Sequence, residues 1–103
     1  MALIRKQLAP VAATPTTLYT ATNPTVVSSI TVSNRSATAD TFKISIRALG
    51  AVLADEHVTL PDIAIAGNDM YAFTGGLTLL ATDIVEVTST NGTCTFQLFG
   101  QEI

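Results

Sequence analysis

The sequence predicts an all-β domain: a small antiparallel β-sandwich, jelly-roll-like, of about seven or eight strands, preceded by an extended N-terminal arm. Three observations carry this. Runs rich in β-branched and aromatic residues recur at spacings of about 8–12 residues, each bounded by Gly, Pro, Asn or Asp. Within the runs apolar and polar residues alternate, as the two faces of a half-buried strand require. No window sustains a 3.6-residue apolar period, so helix should be nearly absent. A chain of 103 residues has the length of one domain. Residues 1–15 read as the arm and residues 16–103 as the sandwich.

The opening stretch holds one short alternation, Leu3-Ile4-Arg5-Lys6-Gln7-Leu8, followed by Pro10 and Pro15. Proline removes a ladder donor, so this stretch is expected as an extended arm or an edge strand. The strands that follow are expected at Thr16–Thr20, Val26–Ser33, Thr41–Ala48, His57–Leu60, Asp69–Thr74, Leu77–Leu79, Ile84–Ser89 and Thr93–Gln101. The pair Asn91-Gly92 suits a two-residue type I′ hairpin turn. That turn would set Ser89 opposite Cys94, Val87 opposite Phe96 and Val85 opposite Leu98 on a core face. It would leave Thr88, Thr95, Glu86 and Gln97 on a polar face, with Ile84 opposite Phe99 as an apolar exception there. A second hairpin, with Arg35–Ala39 as its loop, would set Val32 opposite Phe42 and Ile30 opposite Ile44. Ile46 joins that core face, and Thr31, Ser33, Lys43, Ser45 and Arg47 would then face outward.

Composition excludes several classes of function. The net charge is −3 and the five Lys and Arg residues are scattered, which does not make the clustered positive footprint of a nucleic-acid protein. No charge occurs from Gln7 to Asn34, but Pro10, Pro15, Pro24 and many Thr and Ser residues rule out a spanning helix there. The start lacks the basic-then-apolar order of a signal peptide, so no export is expected. Cys94 is the only cysteine, so neither an intrachain disulfide nor a multi-cysteine metal site can form. Only 13% of residues are charged, so the surface must consist largely of Thr, Ser, Asn and Ala, which suits packing into an assembly.

Candidate chemistry dissolves under the same reading. Asp55, Glu56 and His57 are consecutive, and extended neighbours point to opposite faces, so they form a polar turn entering a strand. Asp62, Asp69 and Asp83 each fall in an expected turn, where Asp bonds its own backbone. Gly75-Gly76 precedes a strand-like run and reads as a turn, not a phosphate loop. Asn34-Arg35-Ser36 and Asn91-Gly92-Thr93 match the glycosylation pattern without a secretory context. Cys94 falls on the core face beside Phe96 and reads as a buried, inert thiol. No catalytic, cofactor-binding or metal-ligating residue is therefore assigned.

The ordered string Thr16-Thr17-Leu18-Tyr19-Thr20, Ser29-Ile30-Thr31-Val32-Ser33-Asn34, Thr41-Phe42-Lys43-Ile44-Ser45-Ile46, Ile65-Ala66-Gly67-Asn68-Asp69, Gly76-Leu77-Thr78-Leu79 with Thr82-Asp83-Ile84, and Phe99-Gly100-Gln101-Glu102-Ile103 resembles small β-sandwich virion proteins of tailed bacteriophages. The resemblance implies a structural protein of the particle, made in the host cytoplasm, with no catalytic residue and no cofactor. It implies capsid decoration or cement proteins, or components of the neck, tail or fibre, as the kinds of role. The partners implied are further copies of the chain, by analogy as a trimer, and the major capsid protein or neighbouring virion proteins. Neither nucleic acid nor membrane is an expected partner. The expected subunit contacts are Leu3, Ile4 and Leu8 of the arm with the Ile84/Phe99 patch. The other class of function open to the sequence is a binding module whose loops, such as Asn34–Asp40, hold a host glycan or receptor. The absence of Trp, with Tyr19 and Tyr71 the only tyrosines, argues against that class.

Overall fold

The computed structural model describes residues 2–103, and among them nine strands form: β1 (Ala2–Leu8), β2 (Thr16–Thr20), β3 (Thr25–Asn34), β4 (Asp40–Arg47), β5 (Val58–Ile65), β6 (Met70–Phe73), β7 (Leu77–Leu79), β8 (Ile84–Ser89) and β9 (Cys94–Glu102). They pair into two antiparallel sheets. Sheet A runs β1-β9-β3-β6, with β7 also on β3, and sheet B runs β2-β8-β4-β5. Short 3-10 turns at Ala48–Gly50 and Asp55–His57 provide the helix. The fold is a β-sandwich, and its connectivity is that of a jelly roll. Each of the successive pairs β1/β2, β3/β4 and β8/β9 places its first and second members in different sheets, and each lies alongside another such pair.

Three of the predicted strands have the bounds expected, at Thr16–Thr20, Leu77–Leu79 and Ile84–Ser89. The strand count is nine because the stretch expected as an arm adds one to the eight expected strands. Ala2–Leu8 is a full edge strand, in register with β9 from Ala2↔Glu102 to Leu8↔Phe96. Strands β6 and β7 line successive lengths of the same side of β3, at Ile30–Ser33 and Thr25–Val27. They act as one strand broken at Thr74–Gly76, where Gly76 takes φ +76. Pro61-Asp62, expected as a turn, lies inside β5 instead. Between Phe42↔Ile63 and Ile44↔Leu60 strand β5 carries an extra residue. A proline is tolerated there because β5 is an edge strand with a bulge.

The largest correction concerns pairing. Neither predicted hairpin is a ladder: Val87 faces Thr16 and Ile44, and Phe96 faces Leu8 and Val32. The turn at Ser89–Gly92 is closed by the Gly92 N–H donating to the Ser89 carbonyl at 3.2 Å. Its central residues Thr90 and Asn91 both lack positive φ, which a type I′ turn needs at both, and only the Gly92 that follows has it, at 72°. Without the primed twist the two strands splay, β8 into sheet B and β9 into sheet A. β3 and β4 divide the same way.

The inward faces are as the alternation predicts. Val85, Val87, Cys94, Phe96, Leu98, Ile30, Val32, Phe42 and Ile44 are all buried, while Ile46 packs half-buried against them. Phe42 of sheet B stacks edge-on against Phe96 of sheet A at 6.1 Å between ring centroids and tilts against Tyr71 at 5.5 Å. Ser45, expected outside, is buried. It stands opposite Glu86 on one side and Val58 on the other, next to a register shift between β4 and β5.

Candidate functional site

Asp40, Cys94, Ser89, Asn34, Thr93 and Arg35 gather at one corner, where the β3–β4 and β8–β9 connections meet. Asp40 is 3% exposed. Its Oδ1 accepts the N–H groups of Thr41 at 2.7 Å and Asn91 at 2.9 Å. Its Oδ2 accepts the Ser89 hydroxyl at 2.6 Å and lies 3.4 Å from the Cys94 thiol. The Thr93 hydroxyl sits between Asp40 Oδ2 at 3.1 Å and Asn34 Oδ1 at 2.9 Å, donating to one of them at a time. Asn34 in turn donates to the carbonyls of Thr38 and Ala66 and accepts from the Ser36 N–H. Arg35 adds its N–H to the Thr93 carbonyl and its guanidinium to the Gly92 carbonyl.

Burial pushes the Asp40 carboxyl up, but the hydrogen bonds from Ser89, Asn91, Thr41 and Cys94 outweigh it and leave the group lowered to about 2. Burial and the adjacent carboxylate push the Cys94 thiol up to about 11. Thiolate is the reactive form, so Cys94 is held inert, and Ser89 spends its hydroxyl on Asp40. The corner is a structural clasp joining two connections far apart in sequence. A thiol reagent is therefore expected to leave Cys94 unmodified in the native protein at neutral pH and to label it once denaturant is added. Stoichiometric labelling of the folded protein would contradict the burial on which this assignment stands.

His57, Asp69 and Asp83 each accept backbone N–H groups. His57 Nδ1 accepts the Ala54 N–H and the His57 N–H returns to the Ala54 carbonyl, both at 3.0 Å. Asp83 accepts the N–H groups of Leu49 at 2.7 Å and Leu80 at 2.9 Å, and Asp69 accepts that of Met70. Among the described residues no three His, Cys, Asp or Glu side chains converge as a metal site would need. Among them, too, no helix is long and apolar enough to cross a membrane.

The two outer faces differ in polarity. Directly opposed residues share a face, which on the outside of sheet A gives the rows Leu3–Gln101–Val26–Thr78, Arg5–Phe99–Ser29, Gln7–Gln97–Thr31–Ala72 and Thr95–Ser33–Met70. Arg5 is the one charge among them. Leu3 is 88% exposed, Met70 56% and Val26 43%. An open depression of about 520 Å³ lies in this face, lined by Leu3, Ile4, Arg5, Ser28, Phe99 and Gly100. The outside of sheet B instead carries Lys43, Glu86 and Arg47. The last two approach to 3.3 Å, a contact close enough for ion pairing but not aligned as a hydrogen bond.

Of the five expected contact residues, Leu3 and Phe99 line this depression together with Ile4, which also packs against the core. Leu8 is likewise drawn to the core. Ile84 does not join Phe99. It pairs with Thr20 and Arg47 in sheet B while Phe99 pairs with Arg5 and Ser29 in sheet A, so the Ile84/Phe99 patch does not exist. Ile84 is covered from outside by the Ala48–Gly50 turn, its Cδ1 lying 3.6 Å from where a Cβ on Gly50 would stand. Val26 and Met70 escape a sequence reading because the outward row each belongs to is defined only once the register is known.

This chain is, by its topology, a jelly-roll sandwich whose polar interior groups are committed to holding it together. No protein-family model matches it, and no curated protein does. Among solved structures, a pentameric capsid protein isolated from metagenomic phage sequences has a similar chain path, with a TM-score of 0.44 and 17% identity over 98% of this chain and 61% of that one. The chain thus spans less than two thirds of that protein's length, and a likeness of this degree says nothing of function.

Proposed function

We propose that the protein is a structural component of a bacteriophage particle, a capsid decoration or cement protein that strengthens the head by adding contacts between subunits. The reading is carried by the outer face of sheet A, which exposes Leu3 and Val26 beside a depression and Met70 further along, with a single charge on its rows. Such a face favours burial against protein over water. The motif order seen in the sequence supports the phage setting, and jelly rolls are a recurrent architecture of viral shells. The alternative of a host-glycan module loses its aromatic platform, since Tyr19 is 7% exposed and Tyr71 packs on Phe42.

Copies are expected to associate through this face, as a trimer, and the mass from light scattering reads the oligomer directly. Leu3→Arg with Val26→Arg should convert the oligomer to monomer while leaving the melting temperature within about 3 °C, because both side chains point outward from sheet A and neither is part of the core. A wild-type protein that stays monomeric at every concentration reached would end the self-association reading. Copy number in intact particles separates the roles: many copies over the head fit decoration, and a few confined to the neck or tail would replace it with a fitting protein.

A further inference from the structure

The connection from β4 to β5 leaves sheet B as an uncharged loop, Ala48–Ala54, followed at once by Asp55 and Glu56. Its shape is fixed. Leu49 takes φ +55, a left-handed conformation that disfavours a bulky side chain and persists only where its surroundings hold it. The Asp83 carboxylate holds the Leu49 and Leu80 N–H groups side by side, the Arg47 guanidinium donates to the Ala51 carbonyl at 3.1 Å, and the Ala51 N–H closes on the Ala48 carbonyl. What this framework presents to solvent is apolar: Val52 at 88% exposure, Leu49 at 70%, Leu80 at 58% and Leu53 at 40%. Asp55 and Glu56 are exposed beside them and enter no ion pair among the described residues.

On the other sheet, at the same end of the sandwich, the sheet A depression offers the complement. Its apolar lining is Leu3, Ile4 and Phe99, and its one charge is Arg5, exposed and also outside any ion pair among the described residues. We propose that the Leu49–Leu53 loop of one copy seats in the Leu3–Phe99 depression of the next, with Asp55 and Glu56 against Arg5. Docking the loop on the outside of sheet B would bury Lys43, Arg47 and Glu86 under aliphatic side chains, at a desolvation cost that sheet A does not impose. Protrusion and depression are unlike surfaces, so the contact can repeat head-to-tail, and where its rotation closes it builds a ring. The inference rests on the self-association proposed above and names its two halves.

Disulfide trapping tests it in the full chain. Val52→Cys and Leu3→Cys proteins, carrying tags of different size, are mixed and mildly oxidised, and the products are resolved without reductant. The buried Cys94 does not compete. Mixed products, one copy of each variant joined through the introduced thiols, should exceed either like-with-like product several-fold. Exchanging the charges, with Asp55→Lys and Glu56→Lys in one partner, should abolish trapping, and Arg5→Glu in the other should restore it. Dominant like-with-like products would overturn the head-to-tail contact while leaving self-association standing. No cross-link and a monomeric mass would sink both.

Discussion

Asp40→Ala should remove about 3–4 kcal/mol of folding stability, as read by urea or guanidinium unfolding, and lower the melting temperature by about 15 °C or more. The change takes out one acceptor but strands donors on both sides of it: the Ser89 hydroxyl, the Thr41 and Asn91 N–H groups, and the Cys94 thiol. At the centre of the cluster water cannot replace the carboxylate, since Ser89 and Cys94 are fully buried. Asp40→Asn keeps the shape and one carbonyl, so its loss should be smaller, about 1–2 kcal/mol. A loss below about 1 kcal/mol for the alanine variant would show that the clasp does not hold the corner.

The same carboxylate gives the stability a pH dependence of definite sign. Its folded value of about 2 lies below the ordinary 3.8. Its contribution is therefore present above the unfolded value and is lost as pH falls through the folded one. The shift corresponds to roughly 2 kcal/mol between neutral pH and the acid limit. Unfolding free energies between pH 5 and pH 2 should fall for the wild type, and fall less steeply for Asp40→Asn. Parallel curves would assign the acid sensitivity to other carboxylates.

The sequence-structure relation divides cleanly at this corner. Which residues face the core was legible, because alternation along one strand needs no knowledge of its neighbour: Val85, Val87, Phe96 and Leu98 are all inside. Which strands pair was not. Asn91-Gly92 carries the composition of a hairpin turn, yet Asp40, some fifty positions earlier, captures the Asn91 N–H and the Ser89 hydroxyl. A long-range acceptor overrides the local preference, and the two strands part. The Asp40 cluster escaped sequence reading for the same reason, since its members Asn34, Asp40, Ser89 and Thr93 are ordinary turn-flanking residues until topology brings them together. The outward face of sheet A was half legible. Leu3 and Phe99 could be singled out, but Ile84 was joined to the wrong sheet because the pairing was wrong.

Gly67→Ala should be as severe as the loss of Asp40, at about 3 kcal/mol or more, although only a methyl group is added. A Cβ at Gly67 would stand 2.0 Å from the Ala37 carbonyl oxygen and 2.3 Å from its carbon. These are backbone atoms, so no rotamer change relieves the clash. Nor can the loops move apart. The Asn68 N–H donates to the Ser36 carbonyl at 2.8 Å, the Asn34 N–H to the Asp69 carbonyl at 2.9 Å, and the Asn34 amide to the Ala66 carbonyl at 3.2 Å. The β3–β4 and β5–β6 connections are thereby laced together around Gly67, and separating them breaks several bonds at once. Gly76→Ala supplies the contrast. Its φ of +76 carries strain, but the nearest atom is the Val27 oxygen at 3.9 Å, so the cost should be only about 1 kcal/mol. Unfolding curves of the two variants measured side by side decide the matter. A Gly67 variant no weaker than the Gly76 variant would mean that the connections yield, and that the corner is held by fewer contacts than its hydrogen bonds imply.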